Sequence, residues 1–318
     1  MIGTDIAYAA RLLREEALVA IPTETVYGLA GNAFSEKAVA EIFSVKQRPV
    51  FDPLIVHAGG VEALWALATD IPEKARQLAE QFMPGPLTLL LPKCDRIPDL
   101  VTAGSAWVAL RIPAHPVAQA LLQALEFPLA APSANPFGYI SPTTAAHVEA
   151  QLGDKIPYIL DGGPCRVGLE STIVGFPEGQ LPVVYRKGGL SVEAIEQVVG
   201  KVAVRAHSSS NPQAPGMLKS HYAPRVPLVV GDRVSLSTAY AGWRTGVLSF
   251  RTRWEGIPAE WQELLSPGGD YAEAARNLFA AMRRLDNLEL DILLAEWLPE
   301  EDLGSAINDR LRRAAAKS

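Results

Sequence analysis

Two closely spaced cations, Lys46 and Arg48, are the first residues of this chain whose types and spacing suit chemistry on a phosphate group. They fall at the end of a predicted helix, which we expect Ser35 to cap and Pro49 to end. Lysine and arginine bind phosphate oxygens through charge-assisted hydrogen bonds. Cations near a helix C-terminus also offset the helix dipole by about 0.3–1 kcal/mol, so a structural role is the first interpretation of this spacing taken alone.

A third cation, Arg111, interrupts an apolar run that predicts a buried strand from Trp107 to Ile112. Burying a guanidinium group without a partner costs free energy, so either an acidic side chain or an anionic ligand should meet it. Structural ion pairs are common in proteins. The sequence therefore leaves both kinds of partner open.

Two stretches rich in small residues, PLAAPSANPFGYISP and DGGPCRVGLEST, offer backbone that a ligand could approach closely. Ser133, Asn135 and Ser141 supply uncharged hydrogen-bonding groups in the first stretch. Ser141 and Pro142 also form a good start for a helix over 143–151, and a helix N-terminus is itself a site for anions. The chain has no GxGxxG or GxxxxGKS/T sequence in a nucleotide-binding context, so a Rossmann or P-loop site is not predicted.

Hydrophobic periodicity predicts the elements that must hold these residues in place. Thr4 is the expected cap of a first amphipathic helix, and the apolar run from Leu18 to Ile21 predicts a strand that ends in a loop containing Gly28 and Gly31. Further strands are predicted at 54–56, 87–91, 107–112, 158–160, 171–174, 182–186 and 201–205. Helices are predicted at 61–68, 72–82, 117–125, 143–151 and 192–199. The alternation is typical of an α/β fold.

Length and composition favour a globular protein with two domains. The chain has 318 residues, of which 48% are hydrophobic and 20% charged, and its formal net charge is −6. Residues 1–200 carry 14 Lys and Arg against 21 Asp and Glu, which argues against a strongly basic nucleic-acid-binding module. The two cysteines exclude CxxC motifs, and neither a signal peptide nor a membrane anchor is predicted, so we expect a cytoplasmic protein without membrane contact.

We predict a first domain over 1–205, a linker or lid over 206–227 and a C-terminal α/β domain over 228–318. The linker is rich in Ser and Pro, yet it also contains the sequence GMLKSHYAP. Gly216, Lys219, His221 and Tyr222 are suited to fold over a ligand, as long functional loops do. No cluster in the C-terminal domain has catalytic character.

The strings PTETVYGLA, KQRP, PLIVH and APGMLKSHYAP together resemble the threonylcarbamoyl-AMP synthase family, whose core is the YrdC-like domain. The match spans nearly the whole chain and is similar to the long, two-domain form. It implies an open twisted mixed α/β sheet around a concave cavity, with a smaller C-terminal α/β domain joined by an ordered linker. It also implies an enzyme that makes threonylcarbamoyl-AMP and pyrophosphate from L-threonine, bicarbonate and ATP, for threonylcarbamoyladenosine modification of tRNA.

The same resemblance assigns roles to individual residues. Those implied to take part in catalysis are Lys46 and Arg48. Those implied to bind ATP are Lys46, Arg48, Asp52, Ser133, Asn135, Ser141, Arg186 and Tyr222. Those implied to bind threonine are Thr25, His57, Arg111, Ala131 and Ser171, with Arg111 pairing the carboxylate. Asp52 would repel phosphates unless it meets Mg²⁺, a sugar hydroxyl or an arginine.

The resemblance further implies that Mg²⁺ enters with ATP, held chiefly by phosphates and water, without a dedicated protein metal site. Machinery that transfers the threonylcarbamoyl group to tRNA would be the downstream partner, and direct contact with tRNA or another RNA is left open. Because Lys46 is expected near a helix end, Lys46→Ala is expected to abolish adenylate formation and leave the fold intact.

Two alternatives belong to other classes. A double-stranded RNA-binding or ribosome-associated module without turnover could use a concave cationic surface, and it would show salt-dependent RNA binding without ATP turnover. A carbamoyl-transfer enzyme that acts on carbamoyl phosphate is the third hypothesis. Maturation enzymes of that kind carry zinc-finger cysteines and extra domains, and this chain lacks them.

Overall fold

Two β-sheets of different size organise the chain. The structure, a computed structural model, describes residues 1–205 and 221–316. The strands of the larger sheet are β1 (Ile2–Gly3), β2 (Val19–Ile21), β3 (Gly28–Asn32), β4 (Ile55–His57), β5 (Leu87–Pro92), β6 (Trp107–Arg111), β7 (Leu129–Ala130), β8 (Tyr158–Leu160), β9 (Thr172–Gly175), β10 (Val183–Arg186) and β11 (Ala203–Val204). The strands of the smaller sheet are β12 (Leu228–Gly231), β13 (Thr245–Ser249), β14 (Gln262–Leu264) and β15 (Ile292–Glu296).

The larger sheet is mixed and the smaller one is parallel. The 11 strands of the first run in the order β1-β8-β2-β3-β7-β4-β6-β5-β9-β10-β11. This sheet contains antiparallel pairs, such as β5 with β6, and parallel pairs, such as β4 with β6. The four strands of the second run in the order β12-β15-β13-β14, and all their pairings are parallel. The predicted fold class, an open mixed α/β sheet with a smaller C-terminal α/β domain, is confirmed.

Helices cover the sheets and follow the predicted apolar stripes. The helices of the first part are α1 (Ile6–Arg14), α2 (Glu36–Lys46), α3 (Val61–Trp65), α4 (Glu73–Phe82), α5 (Asp99–Thr102), α6 (Pro116–Gln123), α7 (Ala145–Leu152) and α8 (Val192–Val199). Those of the C-terminal part are α9 (Arg233–Ala239), α10 (Tyr271–Asp286) and α11 (Gly304–Ala315), with a 3₁₀ turn at Ala259–Trp261. Ser35 caps α2 through its side chain, as predicted, and Ser191 caps α8 in the same way.

Several local predictions were wrong, two of them because another residue supplied the cap. Asp5, and not Thr4, caps α1 by accepting a hydrogen bond from the Tyr8 N–H. Thr144, and not Ser141, caps α7, which leaves Ser141 to another partner. Gly28–Asn32 is a strand and not part of a loop, since β3 pairs with both β2 and β7. Strand β14 was not predicted, because Gln262–Leu264 is too short and too polar to show a pattern.

Much of the predicted linker over 206–227 lies outside the described residues, and Gly216 and Lys219 are among the residues not described. His221 and Tyr222 are described and buried, with 6% and 1% of their surfaces exposed. The predicted boundaries at 205 and 228 stay a prediction.

One apolar cluster spans the two parts of the chain. Val26, Ile140 and Leu169 of the first part pack in the same cluster as Leu278 and Phe279 of α10. Each fully buried Leu or Phe side chain contributes about 1.5–3 kcal/mol relative to an exposed one. The C-terminal domain is therefore packed directly against the loops that follow β2, β7 and β8.

In the two described ranges, 1–205 and 221–316, no helix has both the length and the apolar content that a membrane span requires.

Candidate active site

A cavity lies against one face of the large sheet. It encloses about 560 Å³ when its opening to solvent is included. Its described walls hold three arginines and one carboxylate, so the site favours an anionic ligand. The lining residues are Thr23, Thr25, Val26, Gly28, Arg48, Pro53, Ile55, His57, Arg111, Ala131, Pro132, Ser133, Glu170, Arg186, His221 and Tyr222.

Register places His57 and Arg111 side by side. They are Cα partners at the carboxyl ends of the parallel strands β4 and β6, so their side chains share one face of the sheet. Arg111 Nη2 donates a 2.6 Å hydrogen bond to Glu24 Oε1, and Glu24 Oε2 accepts from the Ala114 N–H. The partner that the sequence required for this arginine is therefore an acidic side chain.

His57 is neutral at physiological pH in this setting. Burial, and then the nearby charge of Arg111, lower the pKa of the imidazole to about 3. Because a neutral imidazole has one donor and one acceptor nitrogen, it can hydrogen-bond a ligand without adding charge to the site.

Arg48 is held by the turn that follows α2. Its Nη2 lies 2.9 Å from Asp52 Oδ2, and the same guanidinium donates to the Asp52 and Pro53 carbonyl oxygens. Asp52 is fully buried. The concern that this carboxylate would repel phosphates is thereby answered, since Asp52 faces an arginine.

Lys46 lies behind the cavity wall and is not an exposed cation at a helix end. It is 1% exposed, and its Nζ donates to the carbonyl oxygens of Ser133 and Asn135, the latter at 2.5 Å. Burial, and then the charge of Arg48, hold the pKa of Lys46 well below its usual range. Lys46 therefore ties the Ser133–Asn135 turn to α2, and the premise that it is an exposed cation at a helix end is wrong. We now expect Lys46→Ala to destabilise the fold, because the buried Asn135 carbonyl would lose its donor.

Glu170, the one carboxylate in the described lining, connects both halves of the molecule. Its Oε1 accepts a 2.6 Å hydrogen bond from Ser141 Oγ, and its Oε2 accepts from Arg310 Nε at 3.0 Å. Burial disfavours its charged form, but Arg310 and Arg186 outweigh that effect and lower the pKa of Glu170 to about 2. Glu170 is therefore ionised throughout the physiological range.

Arg186 completes the cationic wall at the end of β10. Its Nε donates to the Ser171 carbonyl and its Nη2 to the Ser171 hydroxyl, both at 3.0 Å. Ser171 Oγ also lies 2.7 Å from Thr88 Oγ1. Ser171 is thus held between Thr88 of β5 and Arg186 of β10, and its two oxygens in turn fix the Arg186 guanidinium.

His221 and Tyr222, which lie in the described C-terminal part of the predicted linker, line one side of the cavity. Tyr222 stacks on Phe279 at 5.4 Å between ring centres and contacts His221 edge-on. Its φ is +66°, a strained conformation for a residue with a side chain. Packing against α10 thus holds the Tyr222 ring against the site.

Some buried polar atoms around the cavity have no hydrogen-bond acceptor or donor within the described residues. They include His57 Nδ1, Asn135 Oδ1 and His221 Nδ1. Buried polar groups in proteins are nearly always hydrogen-bonded, and exceptions call for an explanation such as an absent ligand. The atoms therefore support a binding role for this cavity.

The structure brings the predicted site residues together in two layers. Those on the cavity wall are Thr25, Arg48, His57, Arg111, Ala131, Ser133, Arg186 and Tyr222. Those behind it, which contact the first set or the loops that carry it, are Lys46, Asp52, Asn135, Ser141 and Ser171. Which of them bind ATP and which bind threonine stays a prediction.

The acidity of Glu170 gives a stability prediction. A carboxylate with a folded-state pKa of about 2, against an ordinary value of 4.5, adds stability at neutral pH that is lost as the pH falls from about 4.5 through 2. The acid-induced loss of unfolding free energy should therefore be smaller in Glu170→Gln than in the wild type, measured by urea unfolding across this range. The matched control is Glu178→Gln at an exposed position of the same domain, which should keep the wild-type slope. A wild-type slope in Glu170→Gln would contradict the prediction.

Comparison with known proteins decides the family. A family model described as "Telomere recombination", for the Sua5, YciO and YrdC proteins, matches residues 11–188. A model described as "Threonylcarbamoyl-AMP synthase, C-terminal domain" matches residues 190–316. The chain belongs to the threonylcarbamoyl-AMP synthase family. The predicted family and the predicted class of enzyme are thereby confirmed.

Three full-length similarities agree with this family. The chain is 43% identical to threonylcarbamoyl-AMP synthase of Pyrococcus abyssi over 98% of its length and 94% of that protein. It is 41% identical to the synthase of Bacillus subtilis over 98% of its length and 93% of that protein. The crystal structure of P. abyssi Sua5 complexed with L-threonine matches with a TM-score of 0.91 at 42% identity, over 98% of this chain and 94% of that one.

Two carboxylates that hold the walls of the cavity were not recognised from the sequence of this threonylcarbamoyl-AMP synthase family member. Glu24 and Glu170 were not predicted as site residues, although each stands beside hydroxyl residues next to a buried strand, in PTET and LEST. A buried charged side chain needs a partner, and this argument, applied above to Arg111, could also have pointed to the two glutamates, since an acidic side chain rarely stays buried alone.

Within the described ranges, no group of three or more His, Cys, Asp or Glu side chains is placed to hold a metal ion.

Proposed function

We propose that this cavity forms threonylcarbamoyl-AMP and pyrophosphate from L-threonine, bicarbonate and ATP. The observation that carries the proposal is the wall itself, where Arg48, Arg111 and Arg186 converge with a single carboxylate among the described lining residues. The substrates are a polyphosphate and two small anionic or zwitterionic molecules, for which such a wall is complementary. The full-length similarity to synthases, one of them solved with L-threonine, supports the same assignment.

Threonine is assigned to the end of the cavity built by β4 and β6. Arg111, already fixed by Glu24, presents its guanidinium to the substrate carboxylate, and neutral His57 supplies a hydrogen-bonding nitrogen. Thr25 is held by its 2.8 Å contact with Thr23. The small side chain of Ala131 leaves room for the substrate in this part of the cavity. Ser171 is assigned to the same substrate.

ATP is assigned to the end bounded by α2, β10 and the linker. Arg48 and Arg186 face the phosphates, and Tyr222 covers the nucleotide. Lys46, Asn135, Ser141 and Asp52 act from behind, because they hold the turns that carry Ser133, Glu170 and Arg48. Mg²⁺ enters as part of the substrate MgATP and neutralises phosphate charge, with phosphate oxygens and water as its ligands.

The reaction follows from positioning. The amine of threonine and bicarbonate give a carbamate and water, and a carbamate oxygen then attacks the α-phosphorus of ATP as the bond to the pyrophosphate oxygen breaks. The protein supplies alignment and fixed positive charge, so no nucleophilic side chain is required. Both the carbamate and the mixed anhydride hydrolyse readily. Tyr222 and His221 over the cavity therefore also serve to exclude water.

The product is proposed to pass to machinery that transfers the threonylcarbamoyl group to tRNA, and direct contact of this chain with tRNA is a further open prediction. The cytoplasm stays the predicted compartment. The RNA-binding alternative gains no support, since the converging cations lie inside a cavity whose walls are mostly buried side chains.

Release of pyrophosphate tests the proposal. The enzyme with MgATP and bicarbonate is assayed without amino acid, with L-threonine and with L-serine. We expect release that depends on L-threonine and is weaker with L-serine, since a missing methyl group in a fitted pocket costs about 1–3 kcal/mol. Release that ignores threonine, or ATP left untouched while double-stranded RNA binds in a salt-dependent manner, would overturn the proposal.

Tyr222 gives a prediction about the nucleotide end. Tyr222→Ala should raise the KM for ATP by about tenfold or more and lower the Tm, because it removes a buried ring that stacks on Phe279. Tyr222→Phe keeps the ring and should stay within about threefold of the wild-type KM, since stacking and not the hydroxyl covers the nucleotide. Steady-state kinetics with both variants measures the difference. Unchanged ATP kinetics in Tyr222→Ala would reject the covering role.

A further inference from the structure

A buried arginine of the C-terminal domain reaches the walls of the cavity. Arg310 lies on α11, is 0% exposed and is the largest fully buried side chain of the described residues. Burying a guanidinium is costly unless its hydrogen bonds are met by well-placed acceptors. The positions of its acceptors therefore indicate what the residue is for.

The acceptors of Arg310 belong mainly to the first domain. Nε donates to Glu170 Oε2 at 3.0 Å, and Nη1 donates to the Lys187 carbonyl at 2.7 Å and to Asp309 Oδ2 at 3.0 Å. The guanidinium carbon also lies 5.3 Å from the centre of the Tyr222 ring. Glu170 and Tyr222 line the cavity, while Arg310 itself stands behind them.

The contact continues into the first domain through Glu170. The second oxygen of this carboxylate accepts the Ser141 hydroxyl at 2.6 Å. Arg283, on α10 of the same C-terminal domain, donates to the carbonyl oxygens of Ile140 and Ser141. Ser141 is thus held from two sides by groups that depend on the C-terminal domain.

Cohesion between the domains does not by itself require this ion pair. The shared apolar cluster and Arg283 already join them, and a buried ion pair is weak evidence for stability because apolar replacements often do as well. A planar fork that meets a carboxylate, a carbonyl and an aromatic face at once gives geometric precision instead. Precision is what an adenylation site needs.

We propose that Arg310 is a positioning residue of the adenylation site, through which the C-terminal domain holds Glu170, and with it Ser141 and the Tyr222 ring, in the arrangement that receives ATP. The inference rests on the proposed function, since it concerns the ATP end of the same cavity. It gives the C-terminal domain a specific task in the reaction.

Five variants of the full-length enzyme test the proposal: Arg310→Met, Arg310→Lys, Glu170→Gln, the double variant Arg310→Met with Glu170→Gln, and the control Arg312→Met. Arg312 lies on the same helix but is exposed, and its described contacts, with Glu300 and Trp297, stay within the C-terminal domain. The double variant replaces the ion pair by a neutral pair, so it keeps the test open if Arg310→Met alone fails to fold. Threonine-dependent pyrophosphate release and Tm are measured for each.

We expect Arg310→Met to raise the KM for ATP by about tenfold or more, with the KM for threonine changed less than about twofold. Arg310→Lys keeps the charge and loses the fork, so it should recover only part of the ATP affinity. The double variant should be no worse than Glu170→Gln, because residues that act through one another are not additive. Arg312→Met should match the wild type.

Three results would overturn the proposal while leaving the proposed function intact. They are wild-type ATP kinetics in Arg310→Met, equal changes in the KM for ATP and for threonine, or additive effects in the double variant. Failure of the proposed function is separate, since the wild-type enzyme would then release no pyrophosphate in response to threonine.

Discussion

Arg111→Met should lower kcat/KM for threonine by about 10²–10³, chiefly through a raised KM for threonine. The change removes the buried charge pair proposed between Arg111 and the substrate carboxylate, and breaking a buried charge pair costs about 3–5 kcal/mol. Arg111 is 3% exposed, and its guanidinium is fixed by Glu24 at 2.6 Å. In the proposed function the same guanidinium pairs the substrate carboxylate. Steady-state kinetics with each substrate varied in turn measures the effect, and the KM for ATP should change much less.

A double variant separates loss of the substrate contact from loss of the fold. Arg111→Met leaves Glu24 buried and unpaired, whereas Arg111→Met with Glu24→Gln leaves a neutral pair and should restore most of the lost Tm. Threonine binding should remain weak in this double variant. Recovery of threonine kinetics together with Tm would contradict the carboxylate role and show that Arg111 serves only the fold.

The second large effect is expected at Lys46. Lys46→Met keeps the length and apolar stem of the side chain but removes the donor that the Ser133 and Asn135 carbonyls share. The Ser133 carbonyl keeps the Asn135 N–H as a donor, but the buried Asn135 carbonyl is left without a partner, which costs about 1–3 kcal/mol, so the Tm should fall. Turnover should fall by about 100-fold or more, because the turn that carries Ser133 into the cavity loses its tie to α2.

The measurement is pyrophosphate release at a temperature well below the lowered Tm, so that the remaining loss reflects the site. Lys37→Met is a suitable control, since Lys37 lies on the same helix, is exposed, and pairs with Glu16. It should keep wild-type turnover. If Lys46→Met lost stability but kept turnover, Lys46 would be a structural residue without a part in catalysis.

Elements with a strong local signal could be predicted from the sequence. The helix from Glu36 to Lys46 has its Ser35 cap and its apolar stripe in view, and it forms as predicted. The run that became β6 is apolar throughout except for its last residue. Strand β3 could not be predicted in the same way, because GLAGN has little side-chain signal and depends on pairing with β2 and β7.

The site divides along a similar line. Individual residues such as Arg48, Arg111 and Tyr222 stood out by type and by resemblance. Their partners did not, because the pairs are distant in sequence: Glu24 and Arg111 are 87 positions apart, and Glu170 and Arg310 are 140 apart. Such contacts exist only after the sheet and the two domains have assembled, so a local pattern cannot reveal them.

The buried position of Lys46 shows the same limit. A lysine in the last turn of a helix favours an exposed interpretation, since its charge complements the helix dipole there. The structure overrides this because the Ser133–Asn135 turn packs over the helix end and offers two carbonyl acceptors. The sequence showed the cation but could not show what covers it.

The central claim is tested most directly by identifying the product. The enzyme is incubated with MgATP, L-threonine and ¹³C-bicarbonate, and the reaction is analysed at once by mass spectrometry. We predict an adduct of threonine and AMP that contains the ¹³C label and forms in step with pyrophosphate. AMP or ADP without a labelled threonine adduct, under conditions in which added threonylcarbamoyl-AMP survives, would contradict the account.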